Sequence, residues 1–128
     1  MRLLLDTCTF LWIAEGSASL SPACKSLFSD RANELYLSSV SAWEIAVKYA
    51  ARRLGLAEPP DEFVPKYREM HSIGALALDE TAALQVVALP KLHRDPFDRM
   101  LICQAITEGM AILTPDANIR QYPIRTIW

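Results

Sequence analysis

Little in this sequence points to sulfur or imidazole chemistry. Its 128 residues include three cysteines, Cys8, Cys24 and Cys103, and two histidines, His71 and His93. The cysteine count is odd, the spacing is wide and no C-x-x-C occurs, which argues against a disulfide framework or a zinc site. Each cysteine lies among apolar residues and reads as a small core residue. The two histidines show no ligand spacing. Positive charge is not in excess either: 13 basic against 15 acidic residues leave a net charge of -2. That balance argues against binding nucleic acid through a broad basic surface. No stretch approaches the roughly 20 apolar residues of a membrane span, and the opening Leu3-Leu4-Leu5 is broken at once by Asp6. Repeats, low-complexity tracts and linkers are absent. Apolar residues are plentiful: 52% hydrophobic with 22% charged fills a core and rules out disorder as the main state. The expectation is one domain spanning residues 1–128, soluble and in a reducing cytoplasm.

Short apolar runs alternate with helical patterns. Strands are expected at Arg2–Leu5, Glu34–Ser38, Ala75–Leu78, Met110–Leu113 and Ile124–Ile127. Between them, helices are expected over Thr9–Ala14, from Pro22 to about Ala32 with Ser21 as N-cap, and from Ser41 to near Gly55. In the last of these, Glu44 stands at capping-box spacing from Ser41. Further helices run from Asp61 to about His71, with Pro65 expected to kink or delay it, from Glu80 to Ala88 behind Asp79, and from Phe97 to Glu108, ended by Gly109. Leu101, Ile102, Ala105 and Ile106 form the expected inner face of that last helix. Thr114-Pro115-Asp116 begins a short helical turn. Short, wholly apolar strands alternating with helices predict an α/β fold whose parallel sheet is covered on both faces. Ligands of such sheets bind beyond the carboxyl ends of the strands, where strand order reverses.

Several acids recur at that edge. Asp6 directly follows the first strand, and Asp116 follows the strand ending at Leu113. Glu44 begins the helix after the second strand, and Asp98 begins the helix leading into the strand at Met110. Each has an ordinary explanation alone. Asp6 could end a strand, Asp95, Asp98 and Asp116 could cap helices, and Glu44 could complete a capping box or pair with Lys48. Together they pose a charge problem. Two carboxylates about 5 Å apart repel by roughly 3 kcal/mol at an effective dielectric of 20, so a cluster would protonate unless a cation held it. Oxygen-only ligands suit Mg²⁺ or Mn²⁺, and such a cation can activate water and stabilise phosphoryl transfer.

Four blocks then resemble one family. LLLDTCTFLW (Leu3–Trp12), SSVSAWEIAVK (Ser38–Lys48), HRDPFDRMLICQA (His93–Ala105) and AILTPDANIRQY (Ala111–Tyr122) are similar, in order and spacing, to the PIN-domain ribonucleases. They are closest to the VapC-type toxins of toxin–antitoxin pairs, and the third block is the most specific. Cys8, where histidine is frequent, and Ile119, near where an aromatic is common, depart from the pattern without touching the acids.

The resemblance implies an α/β/α sandwich with a parallel sheet of about five strands in the order 3-2-1-4-5, which sets Asp6 beside the strand preceding Asp116. It implies Mg²⁺-dependent (or Mn²⁺-dependent) endonucleolytic cleavage of RNA, with Asp6, Glu44, Asp98 and Asp116 as metal-binding, catalytic acids. Thr7 and Thr114 are implied as supporting hydroxyls, and Arg99 and Lys48 are the candidate phosphate contacts. Trp12 and Trp43 are expected to pack in the core or at an interface. A cognate antitoxin and a homodimer are the implied protein partners, and no membrane is involved. The competing readings are a degenerate PIN domain that binds RNA or protein without cutting, a phosphatase or phosphoacceptor domain using Asp6, and a DNA-directed PIN-like nuclease. The first predicts loss of acids, yet all four are present. The phosphatase pattern wants an acid where Cys8 stands.

Overall fold

The computed structural model describes all residues from Met1 to Trp128. Its five strands are β1 (Arg2–Leu5), β2 (Glu34–Ser38), β3 (Gly74–Leu76), β4 (Ala111–Leu113) and β5 (Thr126–Ile127). All pair in parallel, in the order β3-β2-β1-β4-β5. The helices are α1 (Thr7–Glu15), α2 (Pro22–Ser29), α3 (Ser39–Ala50), α4 (Pro60–Met70), α5 (Glu80–Leu84), α6 (Pro96–Glu108) and α7 (Ala117–Arg120). The expected fold is therefore present, strand order included.

Because side chains alternate along a strand, β1 divides the core in two. Leu3 and Leu5 face a cluster with Phe10, Ile13, Ile45 and Phe63. Leu4 faces the other side, with Leu101, Ile102, Ile112 and Ile119. All three leucines are fully buried, as expected of a central parallel strand. Leu3 and Leu4 lie opposite Leu35 and Tyr36 of β2, and Leu3, Leu4 and Leu5 opposite Ala111, Ile112 and Leu113 of β4.

Most departures from expectation lie at helix ends. α1 starts two residues early because Asp6 is its N-cap. α2 stops at Ser29, where the Asp30 carboxylate takes the Ala32 N–H at 2.9 Å and closes a local turn instead. α3 starts at once from Ser38, whose hydroxyl accepts the Val40 N–H, so Ser41 is not its cap and Glu44 closes no capping box. α3 also ends at Ala50 rather than near Gly55. Arg52 there takes a left-handed φ of 58°, and the Arg53 N–H reaches back to the Lys48 carbonyl at 2.8 Å, a Schellman closure. α4 runs from Pro60 through Pro65 without delay. The helix expected over 80–88 tightens after Leu84 into a 3-10 turn, Gln85–Ala88. Ile106 is exposed rather than on the inner face of α6, whose buried residues include Leu101, Ile102, Cys103 and Ala105.

Leu4→Ala removes a fully buried side chain from the central strand. It is expected to lower stability by about 3 kcal/mol in urea denaturation. A loss below about 1 kcal/mol would contradict a two-faced core at β1.

Candidate active site

β1 and β4 lie side by side between outer strands, so the chain leaves them in divergent directions and opens a crevice at their carboxyl ends. Asp6 stands there, only 3% exposed. Its backbone N–H continues the ladder to the Leu113 carbonyl at 3.3 Å. Its Oδ1 accepts the Thr9 N–H at 2.7 Å and its Oδ2 accepts the Thr114 hydroxyl. The Thr114 oxygen accepts the Asp116 N–H at 3.0 Å, and the Thr9 hydroxyl donates to the Leu113 carbonyl at 3.0 Å. Two threonines thus stitch the end of β1 to the end of β4.

The remaining acids come from three further elements. Glu44 lies in α3, buried. Thr7 donates its hydroxyl to Glu44 Oε1 at 2.6 Å, with Ser41 Oγ 3.0 Å from the same threonine oxygen, and the Lys48 ammonium pairs with Oε2. Asp98 is in the first turn of α6, whose N-cap is Asp95: Asp95 Oδ1 accepts the N–H groups of Phe97 and Asp98 at 2.9 and 3.1 Å. Asp98 Oδ2 lies 3.1 Å from His93 Nε2. Asp116 caps α7 by accepting the Asn118 N–H at 2.8 Å. Capping, the ordinary explanation of Asp95 and Asp116, is real. For Asp6 and Asp116 it coexists with a position on the crevice.

The charges act on one another. Burial raises the pKa of Asp6, the Thr114 and Thr9 hydrogen bonds oppose the rise, and the negative charge of Asp116 adds to it. Burial is also the main cause that pushes Asp98 up to about 6; His93 opposes it, while Asp95, Asp116 and Glu44 reinforce it. Asp116 therefore acts on both Asp6 and Asp98, and Glu44 on Asp98. The Cys8 thiol is pushed up to about 12, by burial first and then by Asp6, Asp116, Glu15 and Glu44, so it supplies no thiolate at neutral pH.

As the side chains are turned, no three acidic, cysteine or histidine groups form a ready cage for a metal ion. Each acid is instead turned onto a donor of the protein itself. The donor set nonetheless has the chemistry of a hard-cation site: four carboxylates from separate elements, of which Glu44 already draws in an ammonium at Oε2. Asp6, Glu44, Asp98 and Asp116 are the residues that could hold such an ion.

Thr7 and Thr114, expected as supporting hydroxyls, each donate directly to an acid. The two expected phosphate contacts stand differently. Arg99 is buried at 8% exposure, and its Nη1 donates to the Pro90 carbonyl at 2.7 Å and the Tyr122 hydroxyl at 2.9 Å. It is buried and committed to those two acceptors rather than open to solvent. Lys48 is partly exposed but pairs with Glu44. Trp12 packs on Trp128 with ring centroids 5.7 Å apart, whereas Trp43 is 60% exposed and touches Phe97 edge-on at 4.9 Å. Sequence reasoning set His93 aside for want of ligand spacing and passed over Tyr122. The only signal was their presence in two of the four blocks, and nothing local joins residues 29 positions apart.

The profile of the PIN domain matches residues 3–124. Ribonuclease VapC22 of Mycobacterium tuberculosis (strain ATCC 25618 / H37Rv) is 28% identical over 130 residues, covering 98% of this chain and 97% of that protein. Among solved structures, VapBC2 from Rickettsia felis, bound to a DNA fragment from its promoter, superposes with a TM-score of 0.74 at 15% identity, covering 100% of this chain and 99% of that one. DNA-bound VapBC from Salmonella typhimurium gives 0.69 at 22% identity, covering 99% and 97%. These solved structures share the fold.

The raised Asp98 carboxyl has a stability consequence. Its folded pKa of about 6 exceeds the ordinary 3.8, so the folded state holds its proton more tightly and loses stability as pH rises through this interval. In EDTA, Asp98→Asn is expected to flatten the fall in urea stability between about pH 4 and 6, and to raise stability at pH 7 by on the order of 2 kcal/mol. An unchanged pH profile would remove Asp98 from the cluster's electrostatics.

Proposed function

Because the chain belongs to the PIN domain family, we propose that it is a metal-dependent endoribonuclease, with Mg²⁺ or Mn²⁺ as cofactor, and the toxin of a toxin–antitoxin pair. The observation that carries this reading is the set of four acids near the β1–β4 junction, where the charge of Asp116 acts on Asp6 and Asp98 and the charge of Glu44 acts on Asp98. The full-length likeness to a ribonuclease supports it.

Asp6 and Asp98 would hold the cation most directly, and Glu44 and Asp116 would complete the set. When bound, the cation supplies positive charge against phosphoryl oxygens and acidifies water. The chain's own part is to keep the acids placed. Thr9 and Thr114 hold both oxygens of Asp6, Thr7 holds Glu44, and His93 holds Asp98. Such outer partners commonly orient metal-binding carboxylates. Water is the nucleophile, since Cys8 is held as the thiol. Its oxygen bonds to phosphorus as the P–O3′ bond breaks, and one water proton is lost to solvent while the departing 3′ oxygen takes one up, so the products carry a 5′-phosphate and a 3′-hydroxyl.

The RNA backbone meets few cations. Lys48 flanks the acids, and Arg94, exposed beside Asp95, takes the role that the buried Arg99 does not. Affinity then depends on the cation more than on a broad basic surface. The protein partner is a cognate antitoxin, in keeping with the VapBC complexes that share this fold. A basic antitoxin side chain suits the same negative crevice, where Glu44 already takes an ammonium. Self-association into a homodimer is supported by Trp43 and Val47, both exposed and one helical turn apart on α3. Three free cysteines suit a reducing cytoplasm. No helix is long and apolar enough to cross a membrane.

Purified protein is expected to cut members of an RNA panel with Mg²⁺ or Mn²⁺ and to stop in EDTA. Asp6→Asn and Asp98→Asn are each expected to lower cleavage by at least 100-fold, the scale of losing a principal electrostatic contribution. Cleavage that survives chelation, or both substitutions, would sink the metal–carboxylate reading. RNA binding without cleavage under all conditions would favour the degenerate PIN domain.

A further inference from the structure

We propose that Arg99, Tyr122 and His93 form a fixed hydrogen-bond relay that pins one oxygen of Asp98 and leaves the other free for the site, making His93 and Tyr122 positioning residues of this enzyme. What Asp98 does once positioned rests on the function proposed above; the relay itself does not.

The argument begins with the Tyr122 oxygen, on a side chain that is buried among Ile112, Ile119 and Leu101. Three nitrogens surround it: Arg99 Nη1 at 2.9 Å, the His93 backbone N at 3.2 Å and His93 Nδ1 at 2.8 Å. A phenol has two lone pairs and one proton. Guanidinium and backbone N–H groups can only donate, so they occupy both lone pairs. The phenol proton is then left for Nδ1, which accepts it. A proton on Nδ1 would face an oxygen with no lone pair to spare. The ring hydrogen therefore sits on Nε2, which faces Asp98 Oδ2 at 3.1 Å. Direction runs one way: Arg99 donates to Tyr122, Tyr122 to His93, and His93 to Asp98.

The donor side of the relay, Arg99 and Tyr122, is anchored. Arg99 Nη1 also holds the Pro90 carbonyl at 2.7 Å, and the Arg99 backbone N–H bonds Asp95 at 3.0 Å. Tyr122 lies beyond β4 and α7, and its backbone N–H bonds the Ile119 carbonyl at 3.1 Å. The rings of His93 and Tyr122 also pack edge-on, with centroids 5.4 Å apart. His93, in the irregular segment before α6, is thus held at its main chain and at both ring nitrogens. Asp98 Oδ2 is the oxygen taken by the protein; Oδ1 has no hydrogen-bond partner and is not sealed from solvent. A carboxylate with one oxygen pinned and one offered has lost the rotational freedom that would otherwise weaken a ligand.

The test has two arms. The first reads the imidazole of His93 by ¹⁵N NMR in metal-free protein at pH 8, above the ordinary histidine range. The expected spectrum shows the Nε2–H tautomer, replaced by an averaged ring in Tyr122→Phe, which deletes only the phenol oxygen. An Nδ1–H tautomer in the unaltered protein, or an unchanged ring in Tyr122→Phe, would overturn the relay. The second arm titrates Mn²⁺ calorimetrically. His93→Ala is expected to weaken binding by about 10-fold, with partial recovery in His93→Gln, whose amide restores a donor, and urea denaturation confirms folding. Wild-type affinity in folded His93→Ala, alongside weakened binding in Asp98→Asn, would also overturn the relay. If Asp98→Asn itself binds Mn²⁺ as the unaltered protein does, the metal reading fails instead, and the tautomer decides the relay alone.

Discussion

In β1, Leu3, Leu4 and Leu5 are bonded to parallel strands on both sides and packed against cores on both faces. A one-residue slip would turn every leucine to the opposite cluster, so the register is tightly held. That register carries Asp6 one step past Leu5, level with the end of β4, and the Asp6 N–H extends the ladder to Leu113. Thr114 then reaches Asp6, and Asp116 reaches Thr114. The site is thus a continuation of the central strand pairing, assembled where two adjacent strands send their chains in different directions.

Placing acids at that junction creates an electrostatic cost that the surrounding residues only partly relieve. Hydroxyls of Thr7 and Thr114, the Thr9 backbone, the His93 ring and the Lys48 ammonium each meet a carboxylate. Asp6 and Asp98 still bind protons more tightly than ordinary carboxylates, through burial first and the neighbouring negative charges second. Glu44 meets part of that cost by pairing with the chain's own Lys48. The net charge of -2 is therefore a poor guide to whether the chain meets nucleic acid. Four of its acids belong to one crevice, and the balance of the rest is slightly positive.

Structural and functional roles overlap in the same residues. Asp6 and Asp116 cap helices while facing the crevice, and Asp95 caps α6 so that Asp98 stands in its first turn. Negative groups are favoured at helix N-termini, so these positions lower the cost of gathering acids. A cap explains why an aspartate is tolerated there, and the neighbouring acids explain why the arrangement is chemically useful.

What was legible in the sequence was local. Short apolar strands alternating with helices define a covered parallel sheet, and acids just after strands or at helix starts fall near one edge, because these signals act within a few residues. The order 3-2-1-4-5 came from family resemblance, since alternation alone does not say which strands become neighbours. Tertiary structure decided the rest. Ser38 rather than Ser41 caps α3, because the helix begins as soon as its strand ends and turns Ser41 inward beside Thr7. Arg99 is drawn to Pro90 and Tyr122 instead of solvent, and His93 becomes the partner of Asp98. The direction of a long side chain, and a contact between residues 29 positions apart, depend on which surfaces pack together, and that is a property of the assembled core rather than of any stretch of sequence.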